Sequence, residues 1–238
     1  MKNVALIFAG GSGTRMNTKG RPKQFLELHG KPILIYTLEL FDNHPLIDGI
    51  VVVCLKEWID YLKKMIRKFE INKVVEIVEG GKSGQESIYN GLISARNHFD
   101  SDSIVLIHDG VRPLIIEQTI TDNINCVREN GNCITCIPAT ETFVVNIEDS
   151  LMIPDRSKSL LARAPQSFIL GEILANHNRA KKEKLNDFID SCSLMTHYGD
   201  KMHIVIGPME NIKITTPTDF FVFRAMVEVH ENQQIFGF

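Results

Sequence analysis

The residues best suited to chemistry stand near the start of the sequence. The apolar run Val4–Ala9 is followed by Gly10-Gly11-Ser12-Gly13-Thr14-Arg15 and then by Arg21-Pro22-Lys23-Gln24. Successive backbone N–H groups in a glycine turn form a concave anion site, and glycine admits a phosphate without a Cβ in the way. From Gly10 to Lys31 there are five Lys or Arg and one acid, Glu27, in a chain whose net charge is −3. A glycine turn with its own cations in an acidic protein points to a nucleoside triphosphate. The competing reading, a plain strand-to-helix turn, leaves Arg15 and Lys23 without a purpose.

Two better-known glycine loops do not fit. A Walker A loop needs Gly-x-x-x-x-Gly-Lys-Ser/Thr; Gly81-Lys82-Ser83 supplies the last three positions, but Glu76 stands where the first glycine belongs. A dinucleotide fingerprint needs Gly-x-Gly-x-x-Gly; Gly11 and Gly13 match, but Met16 takes the third position and the second strand ends in Cys54-Leu55-Lys56 without an acid. The same mismatch weighs against a nicotinamide-dependent polyol dehydrogenase.

Three further clusters follow apolar, strand-like runs or precede a helix. His108-Asp109-Gly110-Val111-Arg112-Pro113 places an acid and a base three apart on a loop closed by proline. Glu79-Gly80-Gly81-Lys82-Ser83-Gly84-Gln85-Glu86-Ser87 is a second glycine loop opening a helix. Asn211-Ile212-Lys213-Ile214-Thr215-Thr216 sets one lysine between apolar residues. Each has a bland alternative: a surface ion pair worth little for Asp109 and Arg112, a simple loop for Gly80-Gly81, an edge-protecting lysine for Lys213. His108 lacks the partner pattern of a Cys/His or Ser/His/Asp system and reads as structural. The bland readings weaken if all three clusters sit on one rim of one sheet.

The elements that must position these residues alternate along the chain. Apolar strand-like runs occur at 4–9, 49–54, 73–78, 103–108 and 132–138, with helical patterns from Pro32 to about Asp42 and at 56–69, 85–98 and 117–129. Continuous apolar strands separated by helices mark a parallel sheet covered on both faces, where ligands sit at the carboxyl ends of the strands. The expected fold is α/β, a Rossmann-like, mostly parallel sheet flanked by helices. From Thr140 to about Arg163 the rhythm breaks into strand-like pieces such as Thr142–Val145 and the turn Pro154-Asp155-Arg156, which read as a protruding β-arm. Helices at 171–183 and 187–198, a strand at 202–206 and a helix at 218–231 complete a single domain over 1–238.

At 238 residues, 44% hydrophobic and 23% charged, the chain has the composition of an ordinary globular protein. Its charge argues against holding nucleic acid by broad phosphate neutralisation. No apolar run reaches the roughly 18–20 residues that span a bilayer, and no secretory h-region and cleavage site precede the first strand. Five cysteines, an odd number, suit a reducing compartment, so a cytoplasmic location is expected. Cys133-x-x-Cys136 looks like half a metal site but lies in a strand, where residues three apart face opposite sides; buried cysteines are the better reading.

Taken in order, Ala9-Gly-Gly-Ser-Gly-Thr-Arg15, Pro22-Lys-Gln-Phe25, Gly80-Gly81 with Ser87, His108-Asp-Gly-Val-Arg-Pro113, Ala164-Pro-Gln-Ser-Phe168 and Asn211-Ile-Lys-Ile-Thr-Thr-Pro217 resemble the family of 2-C-methyl-D-erythritol 4-phosphate and ribitol-5-phosphate cytidylyltransferases, nearly end to end. The resemblance implies that a polyol phosphate attacks the α-phosphorus of CTP, expelling pyrophosphate. It implies Arg15 and Lys23 on the triphosphate, and Lys213 between the α-phosphate and the incoming phosphate. Ala9, Gly10, Gly11, Gly13, Thr14, Gly81 and Ser87 would bind CTP, with Asp109 beside it. Asp109, Arg112, Thr142, Arg156 and Lys213 would bind the acceptor. Mg²⁺ would ride on the CTP phosphates with Asp109 as a further ligand, and a homodimer would form through the arm.

The departures from the family pattern fall mostly on the acceptor side. Gly84 stands where arginine is common, Glu141-Thr142 replaces Asp-Thr, the acceptor loop reads Asp-Gly-Val-Arg, and Ala164 replaces threonine. The expected acceptor is therefore a polyol phosphate of cell-surface glycan synthesis, ribitol 5-phosphate or a related alditol or glycerol phosphate. Methylerythritol phosphate of isoprenoid synthesis is the alternative. A silent nucleotide-binding module on the same fold is the alternative from another class, and retention of Arg15, Lys23, Asp109 and Lys213 argues against it.

Overall fold

Runs such as Val4–Ala9 and Gly49–Cys54 are apolar at every position because both faces of the sheet they build are covered. The computed structural model describes residues 1–11, 20–147 and 150–236. In chain order the elements are β1 (Asn3–Ala9), the short pair β2 (Glu27–Leu28) and β3 (Lys31–Pro32), α1 (Ile33–Asp42), β4 (Gly49–Cys54), α2 (Ile59–Lys68), β5 (Val74–Glu79), α3 (Gly84–His98), β6 (Ile104–Asp109), α4 (Glu117–Asn130) and β7 (Asn132–Pro138). Next come the hairpin β8 (Val145–Ile147) and β9 (Ser150–Met152), then β10 (Leu160–Ile169), α5 (Leu170–Glu183), α6 (Ser191–His197), β11 (Ile204–Ile206) and α7 (Pro217–Phe236). Seven strands form one sheet in the order β11-β7-β10-β6-β1-β4-β5, all parallel except β10. The α/β, mostly parallel architecture expected from the alternation is the one present.

Side-chain alternation along the strands divides the core into two layers. Ala5, Ile7 and Ala9 of β1 pack with Ile50 and Val52 of β4 beneath Leu34 and Leu38 of α1, Leu62 of α2 and Ile124 of α4. Val4 and Leu6 pack with Val51 and Val53 on the other face beneath Leu92 of α3, Ile173 of α5 and Leu194 of α6. A smaller cluster, in which Ile214 and Phe223 meet Val111 and Leu114, fastens α7 to the loop after β6.

From β1 the chain moves one way through β4 and β5, then crosses by α3 to β6 on the other side of β1. The carboxyl ends of β1 and β6 therefore flank the point where strand order reverses, the usual ligand crevice of a doubly wound sheet. Gly110, just past β6, donates its N–H to Phe8 O at 2.8 Å. A Cβ there would lie 3.2 Å from Ala9 Cβ and 2.7 Å from Leu34 Cδ1. Glycine lets the two strand ends close on each other.

The region after Thr140 differs from expectation. The arm is shorter than 140–163: its paired part is the β8–β9 hairpin, and of the expected strand Thr142–Val145 only Val145 is in it. Leu160 already begins β10, which enters the sheet between β6 and β7. Pro165 within this strand cannot donate to a ladder. The pairing with β7 accommodates it by a register shift between Ala162 and Gln166. The helix expected at 187–198 starts at Ser191, because Asp190 caps it: its carboxylate accepts from Ser193 N at 2.8 Å and Ser193 Oγ accepts from Asp190 N at 3.2 Å. Cys133 and Cys136 are both buried on β7, and the Cys133 thiol donates to Asn123 Oδ1 at 3.2 Å. Among the described residues no helix is long and apolar enough to cross a membrane.

Candidate active site

The first glycine turn is held from below by Gln24. This side chain is buried, and its Nε2 donates to Ala9 O at 2.7 Å and to Gly11 O at 3.0 Å. Gln24 lies in a tight turn, Lys23–Phe25, whose Phe25 ring stacks on Trp58 with centroids 4.7 Å apart and meets Tyr61 edge-on. The aromatic packing fixes the backbone of half-buried Lys23 beside the glycine turn. Gly13, Thr14 and Arg15 lie outside the described residues.

The second glycine loop meets the first through Ser87, which is 2% exposed. Its Oγ accepts from Gly81 N at 2.9 Å and donates to Ser83 O at 2.8 Å. A Cβ on Gly80 would stand 3.2 Å from Ser87 Oγ and 3.7 Å from Gly10 Cα; one on Gly10 would stand 3.4 Å from the same oxygen. Glycine at both positions brings two backbone turns against one hydroxyl. The expected CTP-binding groups Ala9, Gly10, Gly11, Gly81 and Ser87 are thus gathered in one place.

Asp109, at the end of β6, is the hub of the charged cluster. Its Oδ2 accepts from Arg112 Nε at 2.8 Å and its Oδ1 pairs with Lys213 Nζ at 2.6 Å. The Arg112 and Asp109 side chains are 8% and 16% exposed, so this is no solvated surface pair. Burial alone would raise the carboxyl's pKa. The charges and hydrogen bonds of Lys213 and Arg112 overcome it and hold Asp109 well below the usual carboxylate range. Asp109 is therefore a fixed anion that aims two cations.

The backbone under this cluster is tied at every approach. Arg112 donates from a guanidinium nitrogen to Asn211 O at 2.9 Å, and buried Asn211 donates from Nδ2 to Ala164 O at 2.7 Å, joining the Lys213 segment to both β6 and β10. Ile214 N donates to Val111 O at 2.9 Å. The Asp219 carboxylate accepts from Thr215 N at 2.8 Å and Thr216 N at 2.7 Å, capping α7 just beyond. Lys213 thus sits in a capping loop before α7 rather than on a sheet edge. His108 is buried with Nε2 3.2 Å from Arg112 O, and burial lowers its pKa to about 4. A neutral ring donating from Nε2 to that carbonyl supports the loop.

A cavity of about 500 Å³ opens beside the cluster; Asp109, Arg112 and Lys213 line it with Gln85, Arg163 and Asp190. Thr142 and Arg156, expected at the acceptor, do not line it: both are exposed on the arm, and Arg156 donates to Thr140 O at 3.2 Å. Within one chain the structure brings Asp109, Arg112 and Lys213 together and leaves Thr142 and Arg156 apart. Sequence reading missed Arg163, a lone cation in Leu160-Leu-Ala-Arg-Ala-Pro165 on the unforeseen β10. It also missed the anchoring roles of Gln24 and Asn211, although both lie inside recognised motifs, and that of Gln166, whose Nε2 donates to Asp190 Oδ2 at 2.8 Å.

Chemically, the site offers glycine turns, oriented cations and the ionised carboxylate of Asp109. The Ser87 hydroxyl is committed to its own turn, and burial pushes the nearby Cys54 thiol up to about 12, so neither is an activated nucleophile. Such a site binds polyanions and stabilises charge that develops between them.

Residues 3–229 match the family model IspD, 2-C-methyl-D-erythritol 4-phosphate cytidylyltransferase. The chain is 55% identical over 237 residues to the ribitol-5-phosphate cytidylyltransferase of Vibrio parahaemolyticus, covering 99% of this chain and 100% of that one. It is 50% identical over 240 residues to the enzyme of the same name from Streptococcus agalactiae, covering 100% of both. Among solved structures, 4-diphosphocytidyl-2C-methyl-D-erythritol synthase from Anaerococcus prevotii matches with a TM-score of 0.81 and 27% identity over 95% of this chain and 96% of that one.

Proposed function

The chain belongs to the 2-C-methyl-D-erythritol 4-phosphate cytidylyltransferase family, and from that premise we propose that this nucleotidyltransferase joins CTP and ribitol 5-phosphate to give CDP-ribitol and pyrophosphate. The observation that carries the choice of acceptor is the end-to-end identity of 55% and 50% to ribitol-5-phosphate cytidylyltransferases, against 36–38% to 2-C-methyl-D-erythritol 4-phosphate cytidylyltransferases of Clostridium. The product would serve cell-surface glycan synthesis. The reaction would run in the cytoplasm, a compartment suited to five free thiols.

The bond that breaks is the α–β anhydride of CTP; the bond that forms joins an acceptor phosphate oxygen to the α-phosphorus. Near pH 7 that oxygen is already anionic, so no general base is required. The barrier is the meeting of two anions and the charge gathering on pyrophosphate, and oriented cations lower it. Lys213, aimed by Asp109, would hold the α-phosphate region and the incoming phosphate. Arg15 and Lys23 would hold the triphosphate, and Arg112 would face the acceptor. The glycine turns, with Gly13, Thr14 and Ser87, would bind the nucleotide.

A magnesium ion fits this donor set only as cargo of the nucleotide. Both Asp109 oxygens already face cations, and among the described residues no three His, Cys, Asp or Glu gather as a cage. Mg²⁺ ordinarily keeps waters and substrate phosphates as ligands, with one or two carboxylates. The triphosphate would hold it, with Asp109 as the protein oxygen at hand, and it would neutralise phosphate charge.

The arm is where a second copy would dock. Leu151 and Ile153 are 73% and 65% exposed, and Val144, Ile147, Leu160 and Leu161 are exposed beside them. A second copy docked there would cover these exposed apolar side chains. Docking would also carry Arg156 toward the partner copy's acceptor. The double variant Leu151→Glu/Ile153→Glu is expected to run as a monomer in light scattering, with a raised acceptor KM and an unchanged CTP KM. A variant that stays dimeric would place the interface elsewhere.

Pyrophosphate release with CTP, Mg²⁺ and a panel of ribitol 5-phosphate, glycerol 3-phosphate, arabinitol phosphate and methylerythritol 4-phosphate tests the acceptor. Ribitol 5-phosphate is expected to give the highest kcat/KM by at least about tenfold, the discrimination that one or two mismatched hydroxyl contacts supply. A higher value for methylerythritol phosphate would reverse the assignment.

A further inference from the structure

Arg163 stands on β10, inside the stretch where pairing with β7 shifts register, and lines the same cavity as Asp109, Arg112 and Lys213. Its Nε is shut off from solvent and has no hydrogen-bond acceptor among the described residues, and it enters no ion pair there. Two of the three carboxylates that share the cavity are engaged elsewhere, and the third, exposed Asp187, forms no ion pair with Arg163 among the described residues. Asp109 is taken by Arg112 and Lys213, and Asp190 accepts from Gln166 Nε2 and Ser193 N. Arg163 faces Arg112 closely enough that, after burial, this second guanidinium is the further influence lowering its pKa.

Two guanidiniums on one cavity wall, one of them with a shielded and unmatched donor, describe a place prepared for an incoming anion. We propose that Arg163 is a substrate-binding residue that, with Arg112, grips the phosphate monoester of the acceptor and sets its angle of attack. This rests on the cytidylyltransferase reading above and adds a residue to it. The anion is assigned to the acceptor rather than to CTP because the charge acting on Arg163 is that of Arg112, the residue expected at the acceptor, while Gly10, Gly81 and Ser87 of the nucleotide turns do not line this cavity. A guanidinium matches the paired oxygens of a phosphate better than an ammonium does, so lysine should replace it only in part.

The test uses the full chain with Arg163→Gln and Arg163→Lys. With CTP and ribitol 5-phosphate varied in turn, Arg163→Gln is expected to raise the acceptor KM about tenfold or more, the effect of losing one charge-assisted contact. The CTP KM should stay within about twofold. Arg163→Lys should recover part of the loss, and Arg163→Gln should melt at or above the wild-type temperature, because removing the cation relieves its repulsion with Arg112. In parallel, inorganic phosphate should raise the wild-type melting temperature and raise that of Arg163→Gln markedly less. An unchanged acceptor KM, or a rise in CTP KM instead, would overturn the assignment. If the wild type fails to turn over ribitol 5-phosphate, the proposed reaction falls. The phosphate shift then decides the role of Arg163 on its own: equal shifts in both proteins overturn it.

Discussion

Lys213→Ala is expected to lower kcat/KM by about 10³ while changing the melting temperature by only a few degrees. The size reflects what the ammonium is asked to do. Removing one fixed donor that meets charge developing in a transition state typically costs about 10²–10³ in kcat, and here the donor is a full cation between two phosphates. The small effect on stability comes from its surroundings. The Lys213 side chain is 39% exposed, while the fixing of its backbone belongs to Asn211, Ile214 and Asp219, none of which changes. Steady-state kinetics beside thermal unfolding separates the two. A parallel loss of fold and activity would mean that the lysine is a strut for Asp109.

Asp109→Asn is expected to damage both. Asparagine keeps the shape but leaves Arg112, 8% exposed, and Lys213 without the anion that aims them. Breaking a buried pair by removing one partner costs about 3–5 kcal/mol; partial exposure of Lys213 places this site at the low end. kcat/KM should fall about 10²–10³, because both cations lose their orientation. Adding Lys213→Ala to Asp109→Asn should cost far less than the sum of the single changes, since the two act as one unit.

The pH dependence has a definite sign. Because Asp109 is held below its unfolded pKa of about 3.9, its stabilising contribution is fully present above that value. It fades as pH falls below it toward the folded pKa. The stability gap between wild type and Asp109→Asn should thus be flat from pH 5 upward and shrink in stronger acid. Urea unfolding at several pH values reads it directly; a gap that shrinks near neutrality would mean that another group carries the titration.

Much of this site could be read from residue types and order. β1, β4 and β6 announced themselves because a strand covered on both faces is apolar throughout, and ligands meet such a sheet at the loops just beyond its strand ends. Asp109 and Arg112 stand out for that reason, and Lys213 as a single lysine between apolar residues before a helix, although only the folded chain reveals that one carboxylate holds both cations. β10 was hidden by Pro165, which makes Leu160–Ile169 read as two fragments. With it went Arg163 and the Ala164 carbonyl that anchors Asn211. Gln24 was passed over because a lone glutamine carries no periodic signal; its role appears only when Ala9 and Gly11 turn their carbonyls toward it. The arm was located but drawn too long, since its alternating, exposed apolar residues look the same whether they face solvent, a partner or a sheet.

The central claim, that this crevice transfers a cytidylyl group from CTP to a polyol phosphate, is tested most directly by following the phosphorus atoms. In ³¹P NMR of the full chain with CTP, Mg²⁺ and ribitol 5-phosphate, the monoester signal should disappear as two coupled diphosphate-ester doublets and pyrophosphate grow in equal amounts. Release of inorganic phosphate or CMP without those doublets, or no change in CTP with any acceptor of the panel, would contradict it.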